Sequence, residues 1–330
     1  MMPSVWVLLL NWRNGRDTVE CLQSLLDCGG AQVRGVVLCD NDSGDDSFAL
    51  VASWAAESGV ALRLAAVAEA LTGVAQVIHG SSQAPWDLHF VQTGANLGFA
   101  GGNNVGLRYI RSMAQPDEAV FLLNNDTLLT EGAIDRMLAR LCQGRTGMCG
   151  ATVVYHHGQR RVQAYGGARF QPWLGRARHL GAHAAFDVPR DPASVEPQLD
   201  YVLGAALMIR GDCLNDVGLL DDRYFLYYEE IDWATRARRM GYDLGWAPDA
   251  VVFHKEGATI GSSSNGRKRS LLSEYHMVRS SLLFTRKFYP YYLPTVVAFI
   301  LLKSLQMIFH NDLARAAVRT RALLGLSRAP

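Results

Sequence analysis

Asn124-Asn125-Asp126 follows directly on the hydrophobic run Val120-Phe121-Leu122-Leu123 and leaves one carboxylate among amide side chains where a strand should end. A hard divalent cation, Mg²⁺ or Mn²⁺, takes oxygen ligands and often uses only one or two protein carboxylates when phosphate and water complete its octahedron. Asp126 is therefore enough for a cation that arrives with a diphosphate; the plainer reading is an Asx-turn leading into the next helix. Asp40-Asn41-Asp42-Ser43 is a second cluster of this kind. Its acid can accept a hydrogen bond from a ribose hydroxyl or a base N–H, or simply make a turn. The stretch Asn96-Leu97-Gly98-Phe99-Ala100-Gly101-Gly102-Asn103-Asn104 is glycine-rich, which lets backbone approach a ligand and offers helix-start N–H groups to phosphate. It is neither G-x-G-x-x-G nor a Walker loop, and a plain glycine turn is its bland alternative.

Glu229-Glu230-Ile231-Asp232 sets three carboxylates at the start of an expected helix, an arrangement the macrodipole favours without any function. Adjacent acids point in different directions. One can face a cleft as general base while its neighbour or Asp232 orients an acceptor or pairs with Arg236 at i+4. His254 closes the run Ala250-Val251-Val252-Phe253. An isolated histidine is usually structural, but at a strand end it can offer an imidazole to the same cation.

Clusters so far apart in sequence need a scaffold that gathers them. Val5–Asn11, 36–39 and 119–123 are short apolar runs, each leading into a polar cluster, and Leu88–Gln92 precedes the glycine-rich stretch. Between the first two runs an amphipathic helix is expected, with Asp17 as N-cap, Glu20 completing a capping-box-like pair, and Val19, Leu22, Leu25 and Leu26 on one face. After the third, Thr130 should cap a helix carrying Ile134, Met137, Leu138 and Leu141 at i, i+3, i+4 and i+7. A further helix is expected over 105–113. Repeated β-α units imply a mostly parallel sheet with helices on both faces and a ligand crevice beyond the carboxyl ends of the strands, where the polar clusters would converge. Residues 151–198, rich in Gly, His, Arg and Pro, read as loops and short strands forming the second wall. A strand over 201–209 then leads through Gly218-Leu219-Leu220-Asp221 to the acidic helix start.

With 49% hydrophobic and 19% charged residues among 330, disorder is excluded. Six cysteines without a C-x-x-C argue against a zinc ribbon or a disulfide scaffold and favour a reducing compartment. The apolar run 5–10 is short for a signal sequence and reads as a buried strand. The net charge of +1 conceals an asymmetry: from Gly257 on, 11 Lys and Arg stand against 2 Asp and Glu, while the preceding body holds the other 21 basic and 29 acidic residues. Residues 294–309 are apolar apart from Thr295, Lys303, Ser304 and Gln306, and are flanked by Arg286-Lys287 and by Arg315, Arg319 and Arg321. As a helix this run reaches about 24 Å, short of ~30 Å of hydrocarbon, so it is expected to lie in an anionic membrane interface rather than span it. A core helix packed on the body is the alternative, and nucleic acid is not an expected partner.

Taken in order over residues 5 to about 287, several stretches together resemble the family 2 glycosyltransferases of the GT-A fold, in particular the rhamnosyltransferase-like branch that builds bacterial cell-surface polysaccharides. They are Leu9-Leu10-Asn11-Trp12-Arg13-Asn14, Val36-Val37-Leu38-Cys39-Asp40-Asn41-Asp42-Ser43, the run 96–104, Phe121-Leu122-Leu123-Asn124-Asn125-Asp126-Thr127, and Phe225-Leu226-Tyr227-Tyr228-Glu229-Glu230-Ile231-Asp232 with Arg236, Gly241, Pro248 and His254-x-x-Gly257. The resemblance implies an α/β, GT-A type nucleotide-diphospho-sugar transferase fold with a mostly parallel central sheet flanked by helices. Its catalytic domain would span 1–262, with a nucleotide-sugar half at 1–150 and an acceptor half at 151–262, followed by a helical, membrane-proximal extension at 263–330. It also implies an inverting enzyme that moves a sugar, rhamnose from a thymidine-diphosphate donor being the nearest guess, to a hydroxyl of a cell-surface glycan or lipid-linked acceptor.

By the same resemblance, Asp40 is the base- or ribose-binding acid, and Asn11, Asn96, Gly98, Asn104, Asn124 and Asn125 face the donor. Asp126 is the retained acid of the family's D-x-D on a divalent cation, Mg or Mn, with His254 as second ligand. Glu230 stands where the family has the Asp that acts as base, one methylene longer, with Glu229 as the other candidate. Asp232 and Gly204 fall on the acceptor side. The implied location is cytoplasmic, peripheral to the inner face of the membrane. A nucleotidyltransferase would need a basic glycine-rich phosphate loop where Asn11-Trp12-Arg13-Asn14-Gly15 supplies little beyond Arg13 and Arg16. A non-catalytic membrane-associated nucleotide-sugar binder is the other alternative.

Overall fold

Near-continuous apolar runs such as Val5-Trp6-Val7-Leu8-Leu9-Leu10 can be satisfied only in strands buried on both faces, and the computed structural model places them at the centre of a large sheet. It describes residues 2–66, 76–77, 84–158, 160–186, 188, 190–255 and 269–326. The chain runs through β1 (Val5–Asn11), α1 (Gly15–Cys28), β2 (Val33–Asp40), α2 (Ser47–Glu57), β3 (Leu62–Ala66), β4 (Gln76–Val77), β5 (Leu88–Gln92), α3 (Gly98–Arg111), β6 (Ala119–Asn124), β7 (Thr127–Leu129) and α4 (Ala133–Leu141). It continues with β8 (Thr146–Tyr155), β9 (Val162–Tyr165), β10 (Gly167–Gln171), β11 (Arg176–His179), the single-turn α5 (Pro192–Val195), β12 (Tyr201–Val202), β13 (Ala206–Ile209), α6 (Gly211–Val217), α7 (Glu229–Arg239) and β14 (Asp243–His254). Three helices close it: α8 (Leu271–Phe288), α9 (Leu293–Phe309) and α10 (Leu313–Leu323).

Among the described residues the main sheet has strand order β4-β3-β5-β2-β1-β6-β13-β8-β14-β7, with β9 added to β8. The half built by β3, β5, β2, β1 and β6 is parallel, while β13 enters antiparallel between β6 and β8. Alternation along β1 sorts its side chains. Leu8 joins Val37, Leu107 and Ile110 under α3, whereas Val7 and Leu9 join Leu22, Leu25, Ile134 and Leu138 under α1 and α4. Helix α3 lies close on the sheet because two positions one turn apart on its inner face lack side chains: a Cβ on Gly102 would come within 2.6 Å of Leu10 Cδ1, and one on Gly106 within 2.3 Å of Leu8 Cδ1. A second, three-stranded sheet, β11-β10-β12, supplies the opposing wall anticipated for 151–198.

Helix α8 belongs to the body rather than to an appendage. Phe284 is fully buried in the main core, Ser280 Oγ donates to the Leu226 carbonyl, and Lys287 Nζ reaches Asp232 at 2.5 Å and Asp221 at 2.8 Å. Helices α9 and α10 pack on α8 through Tyr275, Val278, Leu282, Val296, Ile300, Val318 and Ala322. The run Pro290–Phe309 is long and apolar enough to cross a membrane by length and composition, longer than the 294–309 segment expected from sequence because a turn of 3-10 helix precedes α9. It is no core helix: only Val296, Ile300 and Ser304 of α9 are buried, while Leu301, Leu302, Leu305 and Ile308 are about half exposed. Gly257, the loop after it and the expected boundary at 262/263 lie outside the described residues.

Some local expectations are corrected. Helix α1 begins at Gly15 with Asn14 at the N-cap; Asp17 sits in the first turn, accepting from Asn14 Nδ2 at 2.8 Å and Lys255 Nζ at 2.7 Å. Thr130 does not cap α4, which starts after Gly132 at φ 71°, because its hydroxyl donates to the Val251 carbonyl at 2.9 Å. Helix α3 begins at Gly98, so the glycine-rich run is its first turns rather than a loop before it. The strand expected over 201–209 is broken at 203–205, and Gly204 turns there toward the crevice.

Candidate active site

Register brings the carboxyl ends of β1, β2 and β6 side by side, pairing Asn11 with Asp40 and Leu10 with Asn124. Above them opens a cleft of about 750 Å³ whose lining includes Asn41, Asn96, Gly98, Asn124, Asn125, Asp126, Gly204, Glu229, Glu230 and His254. Sequence-distant clusters at β2, α3, β6, α7 and β14 therefore do meet in one crevice.

Asp126 Oδ1 and His254 Nε2 stand 3.1 Å apart on its floor. The imidazole is fixed from behind by Gln163 Oε1, 2.8 Å from Nδ1, which places the ring proton on Nδ1 and turns the Nε2 lone pair toward Asp126. Two acceptors this close need a positive charge, supplied by a second proton on the ring or by a bound cation. A carboxylate oxygen and an imidazole nitrogen suit Mg²⁺ or Mn²⁺. No cluster of three or more His, Cys, Asp or Glu occurs among the described residues, so the remaining ligands would have to be water and phosphate. Burial opposes ionisation of Asp126, but with the His254 ring doubly protonated its charge and hydrogen bond, with help from Lys255, outweigh it and hold the carboxyl below its usual range. Lys255 also ties this corner down, its N–H donating to the Asp126 carbonyl at 2.9 Å while Nζ bridges Asp17 and Glu20.

Glu229 and Glu230 arrive by a strained route. Tyr227 and Tyr228 both lie in the left-handed region, φ 67° and 72°, a conformation that side chains other than glycine rarely adopt. Two phenol hydroxyls hold the turn: Tyr227 Oη bonds Ser273 Oγ of α8 at 3.2 Å, and Tyr228 Oη donates to the Gly175 carbonyl. Gly98 completes the clamp. Its φ is 72°, a Cβ there would fall 2.2 Å from the Phe225 carbonyl, and that same carbonyl accepts the Phe99 N–H at 2.7 Å. The glycine-rich run thus seats the loop that carries the two glutamates.

Glu229 is buried and Glu230 half-buried, and the Oε2 of each is shielded from solvent without a hydrogen-bond partner among the described residues. Burial, reinforced by the neighbouring Glu230, pushes the Glu229 carboxyl well up. Burial also raises Glu230, to about 7, against the pull of its backbone N–H and of a hydrogen bond from Glu229. Glu230 Oε1 lies 3.7 Å from where a Cβ on Gly204 would be, at the mouth of the turn between β12 and β13.

Four expected contacts are corrected. Asp232 is fully buried beneath the cleft, gripped by Arg236 at 2.7 Å, Lys287 at 2.5 Å and the Tyr224 hydroxyl at 3.2 Å, so it takes the i+4 pairing and no acceptor. Asn104 points away as well, exchanging hydrogen bonds of 2.9 and 3.0 Å with the Leu220 backbone. Asp40 is turned inward: Asn11 Nδ2 donates to it at 2.7 Å, and Ser43 donates through both its hydroxyl and its N–H. Asn11 is equally occupied, accepting from Asn125 and Thr18. The pair braces the strand ends while Asn41, bonded to Asn96 at 3.1 Å and to the Leu97 N–H at 3.0 Å, forms the wall of the cleft. Gln163 and Asn41 were not anticipated. Gln163 sits in the weakly patterned second half, and Asn41 was masked by the charged residue before it.

The description "Glycosyl transferase family group 2" matches residues 119–324. Among curated proteins the chain is 26% identical over 172 residues to the low-salt glycan biosynthesis hexosyltransferase Agl10 of Haloferax volcanii, covering 52% of each chain. It is 28% identical over 194 residues to an N-acetylglucosaminyl-diphospho-decaprenol L-rhamnosyltransferase of Mycobacterium tuberculosis, covering 53% of this chain and 61% of that one. The chain thus spans between half and two thirds of the length of these relatives. Among solved structures, the mannosyltransferase PcManGT from Pyrobaculum calidifontis, in complex with GDP-Man and Mn²⁺, superposes with TM-score 0.56 at 14% identity, covering 98% of this chain and 87% of that one. GalNAc-T7 with UDP, GalNAc and Mn²⁺ gives 0.58 at 13%, covering 84% and 47%. These likenesses carry the fold alone.

Proposed function

The chain belongs to the glycosyl transferase family group 2, with the GT-A fold, and we propose that it moves a sugar from a nucleotide-diphosphate donor to a hydroxyl of a lipid-linked glycan acceptor, with inversion at the anomeric carbon. The observation that carries this reading is the meeting, in one cleft, of a cation-suited Asp126–His254 pair and the adjacent carboxyls of Glu229 and Glu230.

Asp126 and His254 would hold the divalent cation, which when bound neutralises charge building on the departing diphosphate. Asn41, Asn96, Asn124 and Asn125 line the donor side with amide donors and acceptors. Glu230 takes the proton of the acceptor hydroxyl; at about 7 its carboxyl is balanced between holding and releasing a proton at working pH, where a general base is most effective. Glu229, kept protonated, donates to Glu230 and orients it. Attack from the glutamate side on a C1 whose leaving group faces Asp126 inverts the configuration, through an oxocarbenium-like transition state by analogy with glycoside chemistry. The relatives' printed names support a hexose or deoxyhexose donor sugar, rhamnose included, and a diphospho-lipid acceptor. The exposed apolar face of α9 and its flanking cations support attachment to an anionic membrane surface, on the cytoplasmic side where nucleotide sugars are available.

The test is release of nucleoside diphosphate from a panel of nucleotide sugars with Mn²⁺ or Mg²⁺, with and without membrane lipid extract. Release that requires both extract and cation is expected; its absence for every donor would remove the transferase reading.

A further inference from the structure

The cleft has a second charged wall that the transfer chemistry above does not use. Arg176 of β11, Arg269 before α8, Lys303 of α9 and Arg319 of α10 all line it, against a single carboxylate on that wall, Glu274. Glu274 is already engaged by Arg319 Nη1 at 2.8 Å. Arg319 is only 8% exposed, and its Nε is buried with no hydrogen-bond partner among the described residues. A buried donor left unfilled is costly, on the order of 1–3 kcal/mol, and an anionic oxygen is what would fill it. Arg176 and Lys303 come from different elements, yet both stand 5.8 Å from the centre of the Phe299 ring. Two cations drawn to one ring leave a positive field that an anion would neutralise.

Lys303 and Phe299 face this wall from a helix whose other side exposes Leu301, Leu302, Leu305 and Ile308. A ligand suited to both faces has a phosphorylated head and a long hydrocarbon chain. Resting on the transferase reading, we propose that Arg269, Lys303, Arg319 and Arg176 form a subsite for the phosphate groups of a lipid-linked acceptor, whose hydrocarbon leaves along α9. This subsite is separate from the cation-bound diphosphate of the donor. The acceptor's sugar is then presented toward Glu230 by its own phosphate anchor.

Phosphate on a membrane headgroup shares this chemistry, so the experiment separates the two sources. Binding of farnesyl diphosphate, inorganic diphosphate and phosphatidylglycerol vesicles to the full chain is measured by tryptophan fluorescence and flotation in EDTA, and binding of nucleoside diphosphate in a separate EDTA-free arm with Mn²⁺. The proteins are the wild type, Lys303→Met, Arg269→Met and the rescue Lys303→Arg, each checked by thermal unfolding. Farnesyl diphosphate should bind without metal and at least tenfold more tightly than inorganic diphosphate. Each Met variant should weaken it at least tenfold and Lys303→Arg should recover it to within threefold, with nucleoside diphosphate plus Mn²⁺ bound as in the wild type. Unaltered farnesyl diphosphate binding in both Met variants overturns the subsite, as does loss confined to the vesicles, which would make these cations a headgroup surface. Failure of the transferase reading itself shows differently, as a wild type that binds no nucleotide with Mn²⁺.

Discussion

Replacing Glu229 by methionine should move the acid limb of turnover upward while leaving the base in place. Desolvation pushes the half-buried Glu230 carboxyl up to about 7, and in the proposed scheme a proton shared from Glu229 keeps it from going higher. Methionine keeps the volume but removes that donor. A hydrogen bond to an ionised group is worth about 1.5–3 kcal/mol, so at 1.36 kcal/mol per pH unit the limb should rise by about one to two units. Near pH 7, where roughly half the wild-type molecules carry an ionised base, the variant would fall to about a tenth or less and lose roughly fivefold or more in kcat/KM, recovering once the pH is raised by two units. Glu229→Gln, which keeps an N–H donor, should hold the limb near its original place, and Glu230→Gln should lose ~10²-fold or more at every pH. The assay is the pH profile of nucleoside diphosphate release at saturating donor. A Glu229→Met profile that superimposes on the wild type refutes the shared proton, and a limb that survives in Glu230→Gln reassigns the base to Glu229. Stability gives an independent check. Both carboxyls are raised above their unfolded value, so the native state holds more protons and stability falls as pH climbs from about 4.5 through about 7; Glu230→Gln should flatten that slope in thermal unfolding.

Asp126→Ala should abolish transfer and metal-dependent donor binding, and unchanged kinetics in that variant would take the cation out of the scheme. Gly98→Ala drives a methyl to 2.2 Å from the Phe225 carbonyl at a positive φ; a loss of ~1–3 kcal/mol in urea unfolding together with a drop in kcat is expected, and wild-type values for both would mean the clamp is unimportant. Lys287→Met leaves Asp232 with half its counter-charge in a buried setting, for which ~3 kcal/mol of destabilisation is the expected scale; an unaltered Tm would show the ion network to be dispensable. Changing Leu301, Leu302 and Leu305 together to glutamine should preserve the fold yet abolish flotation with phosphatidylglycerol vesicles at low salt, and continued flotation would move the membrane contact elsewhere.

Much of the parallel half of the fold was legible because its strands are short apolar runs that end in polar clusters, and β1 and β5 coincide with their expected limits. Residue type alone singled out Asp126, Glu230 and His254, and all three line the one cleft. The site was illegible where a side chain's direction decides. Nothing in the string says that Asp40 will be claimed by Asn11 and Ser43, or Asp232 by Arg236 and Lys287, since those partners lie at sequence separations set by the sheet and by α8. The glycine-rich run shows the same limit. Its glycines were read as room for a ligand, but Gly102 makes room for β1 and Gly98 for Phe225.

The turn at Tyr227 and Tyr228 acts like a sprung catch whose two latches are phenol groups fastened to parts of the molecule that take no part in the chemistry: Ser273 on α8 and the Gly175 corner between β10 and β11. Releasing either latch would let the backbone relax toward ordinary angles and carry the glutamates out of line. Competence is therefore conditional on α8 being seated. A truncation or ligand that shifts this helix would then silence the proposed transfer while every side chain assigned to it is still present.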